Sequence, residues 1–330
     1  MRMIRSTVAV VVLFASFTMC VDGQAPAAEP EPQYLFIDSD SGLDKKIIQA
    51  GNDGYGVQFV ARFAESPGMI LKRDGRGPRS YRLVNTARLT SFLKELNETG
   101  ASGFRIVPAS VKRKLAVLEQ QPGGARFTYS VVQGNGEGTV MALADARKRG
   151  LALVGMFGVD NGLSVNQQAV FLYEETERAA PAMPSGEWQY RIAVTGRTST
   201  LEKEILQTAA EGFRVTAAGG FLMVLMERNA ALAPPPEDYR VIAMRRVATA
   251  ERELQDAGAE GFRIAVVPDH SQEGVFVLHR TPGTLERFTY QIVRLKPKTA
   301  NEQLLQADAN GFRIAVLFND LVVLERPLPR

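Results

Sequence analysis

Cysteine is nearly absent from this 330-residue chain, which has only Cys20. One thiol excludes an internal disulfide framework and a cysteine-based metal cluster. Histidine is almost as scarce, with His270 and His279 alone, and two imidazoles without a thiolate companion do not make a zinc ligand set. No run of like charges stands out. Lys and Arg number 39 against 36 Asp and Glu, a formal charge of +3, so neither a nucleic-acid footprint nor a basic membrane-surface patch is legible.

Apolar runs are short as well. Val8 to Met19 is the most continuous and falls below the length of an ordinary membrane span. With Arg2 and Arg5 ahead of it and Val21-Asp22-Gly23 behind it, the segment has the layout of an export signal over residues 1–23. The expected location is therefore periplasmic or extracellular. Cys20 follows Phe17-Thr18-Met19, whereas a lipid-anchored cysteine wants a small residue before it, so a lipoprotein is not the reading. Residues 24–32, rich in Pro, Ala and Glu, cannot build a core and are expected to be an extended tether.

Beyond the tether the chain repeats. Tyr34, Tyr81, Tyr129, Tyr190, Tyr239 and Tyr290 each open a short apolar run, and 20 to 22 residues later each is followed by a glycine: Gly54, Gly103, Gly150, Gly212, Gly261 and Gly311. In four copies the glycine precedes a Phe-Arg pair, namely Phe104-Arg105, Phe213-Arg214, Phe262-Arg263 and Phe312-Arg313. A period near fifty residues marks a tandem-repeat architecture. Within each copy the apolar spacing changes from a strand to a helix, as at Leu89, Leu93 and Leu96, then to two further strands. Thr90, Thr139, Thr249 and Thr299 sit near the helix starts as candidate caps. The glycine is expected to end the helix in the left-handed region, and the Phe to enter the core. Ile264 to Val267 is apolar on both faces, as for a strand covered on both sides.

The expected fold is α+β: six tandem β-α-β-β units, each a helix on a small, mostly antiparallel sheet, arranged as two three-unit blocks. Offsets of about 160 residues, as from Arg126-Phe127-Thr128-Tyr129 to Arg287-Phe288-Thr289-Tyr290, suggest a duplicated block. The blocks are residues 33–177 (units near 33–75, 80–121 and 126–177) and 187–330 (units near 187–229, 238–281 and 287–327), with a linker at 178–186. The helix, the Gly-Phe turn and the strand pair ending Leu-Glu-Arg resemble a small bacterial domain of unknown function whose units usually carry Trp-Glu where this chain has Phe-Arg. That resemblance implies the β-α-β-β unit and a bacterial source, and it implies no activity.

Chemistry is sparse. The glycine-rich Gly134-Asn135-Gly136-Glu137-Gly138 lacks the third glycine of a dinucleotide loop at Thr139. The loop from Asp38 to Asp44 has Gln49 where a calcium hand needs a glutamate. No Gly-x-Ser-x-Gly elbow is present. No catalytic, cofactor or metal residues are therefore assigned, and no cofactor is expected. Arg105, Arg214, Arg263 and Arg313 are the candidate interaction residues. Either they pair with carboxylates ending neighbouring third strands, Glu119, Glu227 or Glu325, or they form a row of guanidiniums for an anionic partner. The lengthened loop at Gly158 to Asn166 is a second place for binding residues. The expectation is an exported, non-catalytic interaction or scaffold module with a protein or cell-envelope partner, no nucleic acid, and no transmembrane helix in the mature chain. The alternatives are a ligand cleft between units and, behind it, an enzyme.

Overall fold

A computed structural model describes residues 33–37, 42–63, 66–86, 88–108, 110–111, 115–134, 136–159, 168–176, 187–220, 222–231, 237–268, 274–318 and 320–329. The export segment, the tether, Cys20, the 178–186 linker, His270, most of the Asp38–Asp44 loop and most of the Gly158–Asn166 loop lie outside the described residues.

Six β-α-β-β units follow one another. The first is β1 (Tyr34–Ile37), α1 (Leu43–Asn52), β2 (Tyr55–Phe63) and β3 (Ser66–Arg73); the second is β4 (Tyr81–Asn85), α2 (Leu89–Ala101), β5 (Phe104–Ile106) and β6 (Leu115–Gln120). The third comprises β7 (Phe127–Gln133), α3 (Glu137–Lys148), β8 (Ala152–Val159) and β9 (Gln168–Thr176); the fourth β10 (Trp188–Val194), α4 (Thr198–Ala210), β11 (Arg214–Gly219) and β12 (Met223–Asn229). The fifth has β13 (Asp238–Met244), α5 (Val247–Ala259), β14 (Arg263–Val266) and β15 (Gly274–Arg280); the sixth β16 (Phe288–Arg294), α6 (Ala300–Ala309), β17 (Arg313–Phe318) and β18 (Leu321–Pro327).

In every unit the third strand lies in the middle of a three-stranded sheet, antiparallel to both neighbours. It is the third strand, not the second, that is buried on both faces. Met69-Ile70-Leu71, Val224-Leu225-Met226 and Phe276-Val277-Leu278 are wholly buried, whereas Ile264 to Val267 on the second strand are half-exposed. Alternation along the third strand shows what covers each face. Val322 and Leu324 pack with Ala300, Leu304 and Ala307 of their own helix. Val323 and Leu321 pack with Ala250, Leu254 and Ala257 of the preceding one. Each helix is thus sandwiched between its own sheet and the next.

This layering closes on itself. α6 packs on β1, and Tyr34, Phe36 and Ile70 of the first unit share a core with Leu304, Leu317 and Val322 of the sixth. Residues 32–330 form one compact unit, a ring of alternating sheets and helices with six joints. The joint between units three and four has the same layered build as the rest, with Leu143 and Phe171 against Tyr190 and Leu225. Helices separate adjacent sheets at the first-strand side, but second strands touch directly at several joints: β8 with β11, β11 with β14, and β17 with β2. The units are wedges whose thin edge is the second strand.

All six signature glycines have positive φ, from 76° at Gly311 to 91° at Gly261, the left-handed helix stop that a side chain disfavours. The threonines behave differently. Thr90 and Thr249 lie inside their helices, Thr299 precedes α6 without a side-chain capping bond, and the Thr139 hydroxyl donates to the Gln133 carbonyl. The starts of the six helices have no side-chain capping bond, because packing between two sheets fixes the helices without them.

A second glycine, three residues before the signature, permits the helix to approach the next unit. A Cβ at Gly100 would fall inside 3.0 Å of the Phe127 carbonyl oxygen, and one at Gly258 likewise meets that of Phe288. Gly100→Ala is expected to cost about 2 kcal/mol by forcing the joint apart, read as a lower midpoint in denaturant unfolding. Gly136→Ala, with no atom within 4 Å, should change it little. Separated fragments 33–177 and 187–330 each leave two joint faces bare. They are expected to bind a hydrophobic dye alone and to lose that binding on mixing as a 1:1 complex forms.

Candidate functional site: the polar joints

Each unit opens with a tyrosine because of its hydroxyl as well as its ring. In four units the Tyr side chain crosses the joint and bonds the backbone at the start of the preceding unit's second strand. Ile106 N–H donates to Tyr129 Oη at 3.0 Å, Val215 N–H to Tyr239 Oη at 3.0 Å, and Val57 N–H to Tyr81 Oη at 3.3 Å. Tyr290 Oη lies 3.2 Å from the Phe262 carbonyl oxygen. Burial raises the ionisation of Tyr129, Tyr190, Tyr239 and Tyr290 well above the ordinary phenol range, so they remain protonated.

The recurring arginines meet carboxylates at these joints. In register, Arg105 faces Glu119, Arg214 faces Glu227 and Arg313 faces Glu325, the arrangement expected across one sheet. Two guanidiniums instead reach forward into the next unit. Arg105 Nε lies 2.9 Å from Glu174 Oε1, and Arg263 Nη2 lies 3.0 Å from Glu325 Oε1. Arg313 stays in its own unit at 2.7 Å from Glu325. Arg214 Nε is 3.6 Å from Glu237, which also accepts from Tyr239 at 2.6 Å and sits 3.6 Å from His279 Nδ1. The four arginines are thus joint residues, and their pairing leaves little support for an open cationic row.

Where the signature arginine is missing, another residue supplies the cation. Gly56 replaces it in unit one, and Arg79 lies so close that a Cβ at Gly56 would meet its guanidinium; Arg79 Nη1 reaches Glu119 at 3.2 Å. Ala152 replaces it in unit three. There Arg147, at the end of α3, sits 4.4 Å over the Trp188 ring and draws Glu227 electrostatically. At the closing joint the charges are exchanged between elements: Asp308 on α6 accepts from Tyr34 at 3.1 Å and pairs with Lys72 of the first unit at 3.2 Å. Arg147 and Asp308 occupy the position that is Gly51, Gly100 and Gly258 in sister units. Aligning the copies at that position is the signal that would have found them.

Helix side chains also cover the outer sheet edges. Asn97 accepts from Tyr129 N–H at 2.7 Å and donates to the Tyr129 carbonyl at 3.0 Å. Glu202, Glu251 and Asn301 accept from the backbone N–H of Val241, Ile292 and Phe36, so the first strands cannot readily pair with another chain. The second strands carry a bulge at one place in five units, at Gln58, Val154, Thr216, Ala265 and Ala315, where the side chains are half-exposed or exposed.

A cleft of about 680 Å³ opens at the joint of units four and five, lined by Arg197, Ser199, Leu222, Val241, Arg245 and Val275 among others. Beside Gly134 the Thr139 hydroxyl occupies the space a side chain would take; Asn135 of the glycine-rich stretch lies outside the described residues. Among the described residues no cluster of three or more His, Cys, Asp or Glu is placed to hold a metal ion, and no helix is long and apolar enough to cross a membrane. No family model matches this chain, and no curated protein matches it.

The joint carboxylates differ in balance. Burial alone would raise the Glu325 carboxyl, but hydrogen bonds from Arg263, Arg313 and Tyr290 hold it below the ordinary range. Burial wins at Glu174, despite Arg105 and Tyr129, and its pKa is raised. By linkage, Glu325 contributes stability above about pH 4 that is lost as pH falls through its lowered value. Glu174 contributes stability below about pH 4 that is lost as pH rises through its raised value. Glu325→Gln is expected to cost about 2 kcal/mol at pH 7, the low side for breaking a buried pair because both arginines are half-exposed, and to flatten the acid limb of the stability curve. Glu174→Gln should cost less at pH 7 than at pH 4. Urea unfolding at both pH values checks the contrast.

Proposed function

We propose that this protein is an exported, non-catalytic ring scaffold that binds a protein or cell-envelope partner along its second strands. The observation that supports it most is the unequal treatment of the two sheet edges. First-strand edges are covered by helix side chains at four joints; second strands are bonded from across the joint near their starts, as at Ile106 and Val215, but further along they bulge and leave Thr216, Ala265 and Ala315 accessible. An edge of this kind suits strand addition by an extended peptide, where main-chain bonds give affinity and side pockets give selectivity. The repeating polar groups already have a structural use at the joints, which favours binding over chemistry.

The cleft at the fourth joint supports a second reading, a small ligand held between units. Its size falls within the usual range for such sites, and Leu222, Val241 and Val275 line it together with Arg197, Glu202 and Arg245.

Photo-crosslinking in an envelope extract distinguishes the two. A benzophenone residue placed at Thr216 or Ala315 is expected to capture a defined partner, and one at exposed Met141 or Leu285 is not. Equal labelling from all four positions would overturn the second-strand assignment. If a metabolite panel instead raises the melting temperature of the wild type but not of Ser199→Trp, which places a bulky ring on the exposed lining of the cleft, the small-ligand reading replaces it.

A further inference from the structure

Three residues that depart from the repeat meet at one joint, between units three and four. Arg147 stands where sister units have Gly51, Gly100, Ala209, Gly258 and Asp308. Tyr173 stands where they have Leu71, Leu118, Met226, Leu278 and Leu324. Trp188, the one tryptophan of the chain, lies under the Arg147 guanidinium. Tyr173 packs with Tyr190, Met223 and Leu225 across the joint.

The polar fit here is incomplete. Tyr173 Oη, Arg147 Nε and Asn229 Nδ2 are buried without a protein hydrogen-bond partner, and Asn229 lies opposite Trp188 in the sheet register. Tyr173 is 2% exposed and Asn229 5%. Each of the other five joints carries hydrogen bonds between its units, such as Val57 to Tyr81, Ile106 to Tyr129, Val215 to Tyr239, Gln255 to Tyr290 and Asn301 to Phe36. Among the described residues none crosses between units three and four. Tyr190 turns to Glu227 of its own unit; desolvation raises the pKa of the half-buried Glu227 although Arg147 draws it across the joint, whereas hydrogen bonds from Arg263 and Arg313 lower that of Glu325.

We propose that the ring opens at the joint between units three and four, with the Arg147–Tyr173 face parting from the Trp188–Asn229 face. Opening hydrates the Tyr173 hydroxyl and the Asn229 amide, which the closed joint buries unsatisfied; another joint also leaves a buried donor unpaired, Arg79 Nε, but hydrogen bonds across it hold its units together. The apolar contact of Leu143 and Phe171 with Tyr190 and Leu225 opposes it and keeps the closed ring the resting state. The chain length permits the movement, because nine residues lie between Glu177 and Glu187 and a chain of that length reaches roughly 30 Å when extended. Opening at this point leaves the two three-unit blocks intact and uncovers β8 and β11, the second strands that touch across this joint.

Thiol labelling of the full-length chain in a Cys20→Ser background tests this. Leu225→Cys and Val323→Cys each place one thiol at equivalent, fully buried third-strand positions, the first at this joint and the second at the joint of units five and six. The Leu225→Cys thiol is expected to react with a small alkylating reagent at least tenfold faster than the Val323→Cys thiol. Adding Tyr173→Leu, which places the sister-unit residue at this position, should slow labelling of the Leu225→Cys thiol at least threefold. Equal labelling rates at the two joints would overturn the proposal. Faster labelling that Tyr173→Leu leaves unchanged would remove the unsatisfied hydroxyl as its cause and overturn it too.

Discussion

A three-stranded sheet with one helix has one covered face, and in every unit of this protein the middle strand is apolar on both. The uncovered face can be buried only by the helix of the preceding unit. In a linear array that arrangement leaves one sheet face bare at the start and one helix bare at the end, so the same surfaces that stack the units also favour bringing the ends together. The wedge shape follows from the packing: a helix between sheets on one side and direct strand contact on the other turns each unit relative to the last. Ring closure through Tyr34, Phe36 and Ile70 against α6 is thus an outcome of the repeat's own burial pattern. Each fully buried aliphatic residue stabilises by about 2 kcal/mol, so the apolar faces supply most of the energy of a joint.

The polar groups have a different task. Apolar faces slide with little penalty, whereas a tyrosine hydroxyl bonded to a particular backbone N–H fixes the axial position of one sheet against the next. The paired carboxylate and cation then orient the tyrosine. Arg263 and Arg313 converging on Glu325 within 3.0 Å, with Tyr290 at 2.9 Å, is the fullest example. Because the guanidiniums also lie over aromatic rings, Arg105 over Phe127 and Arg263 over Phe288, their stems cover the core edge as well as carrying charge.

The unit was legible in the sequence because its signals are local. The apolar period and the left-handed glycine are each set within a few residues, and the six copies reinforced one another. The ring was not legible, since nothing within a single period distinguishes closure from an open stack. The reach of Arg105 and Arg263 into the next unit was hidden for a related reason: in register they do face residues of their own sheet, and only the lateral proximity of the next sheet redirects them. The threonines misled because hydroxyls near a helix start suit a capping role, yet sandwiching between sheets had already fixed those helices.

Departures from a repeat then become informative in a way that conformity is not. Gly56 and Ala152 remove an arginine, and in each case a cation returns from elsewhere, Arg79 or Arg147, to the same carboxylate position. The requirement is therefore a charge at a place, not a residue at a sequence position. The two replacements are not equal. Arg79 bonds both Asp74 and Glu119 and is almost fully buried, so its joint is at least as constrained as those with the signature residue. Arg147 faces Trp188 and draws Glu227 without a hydrogen bond to it, while Tyr173 adds a buried hydroxyl without a protein partner. Compensation restores the charge there without restoring the bonds, and a ring whose joints are otherwise alike acquires a direction in which it can yield.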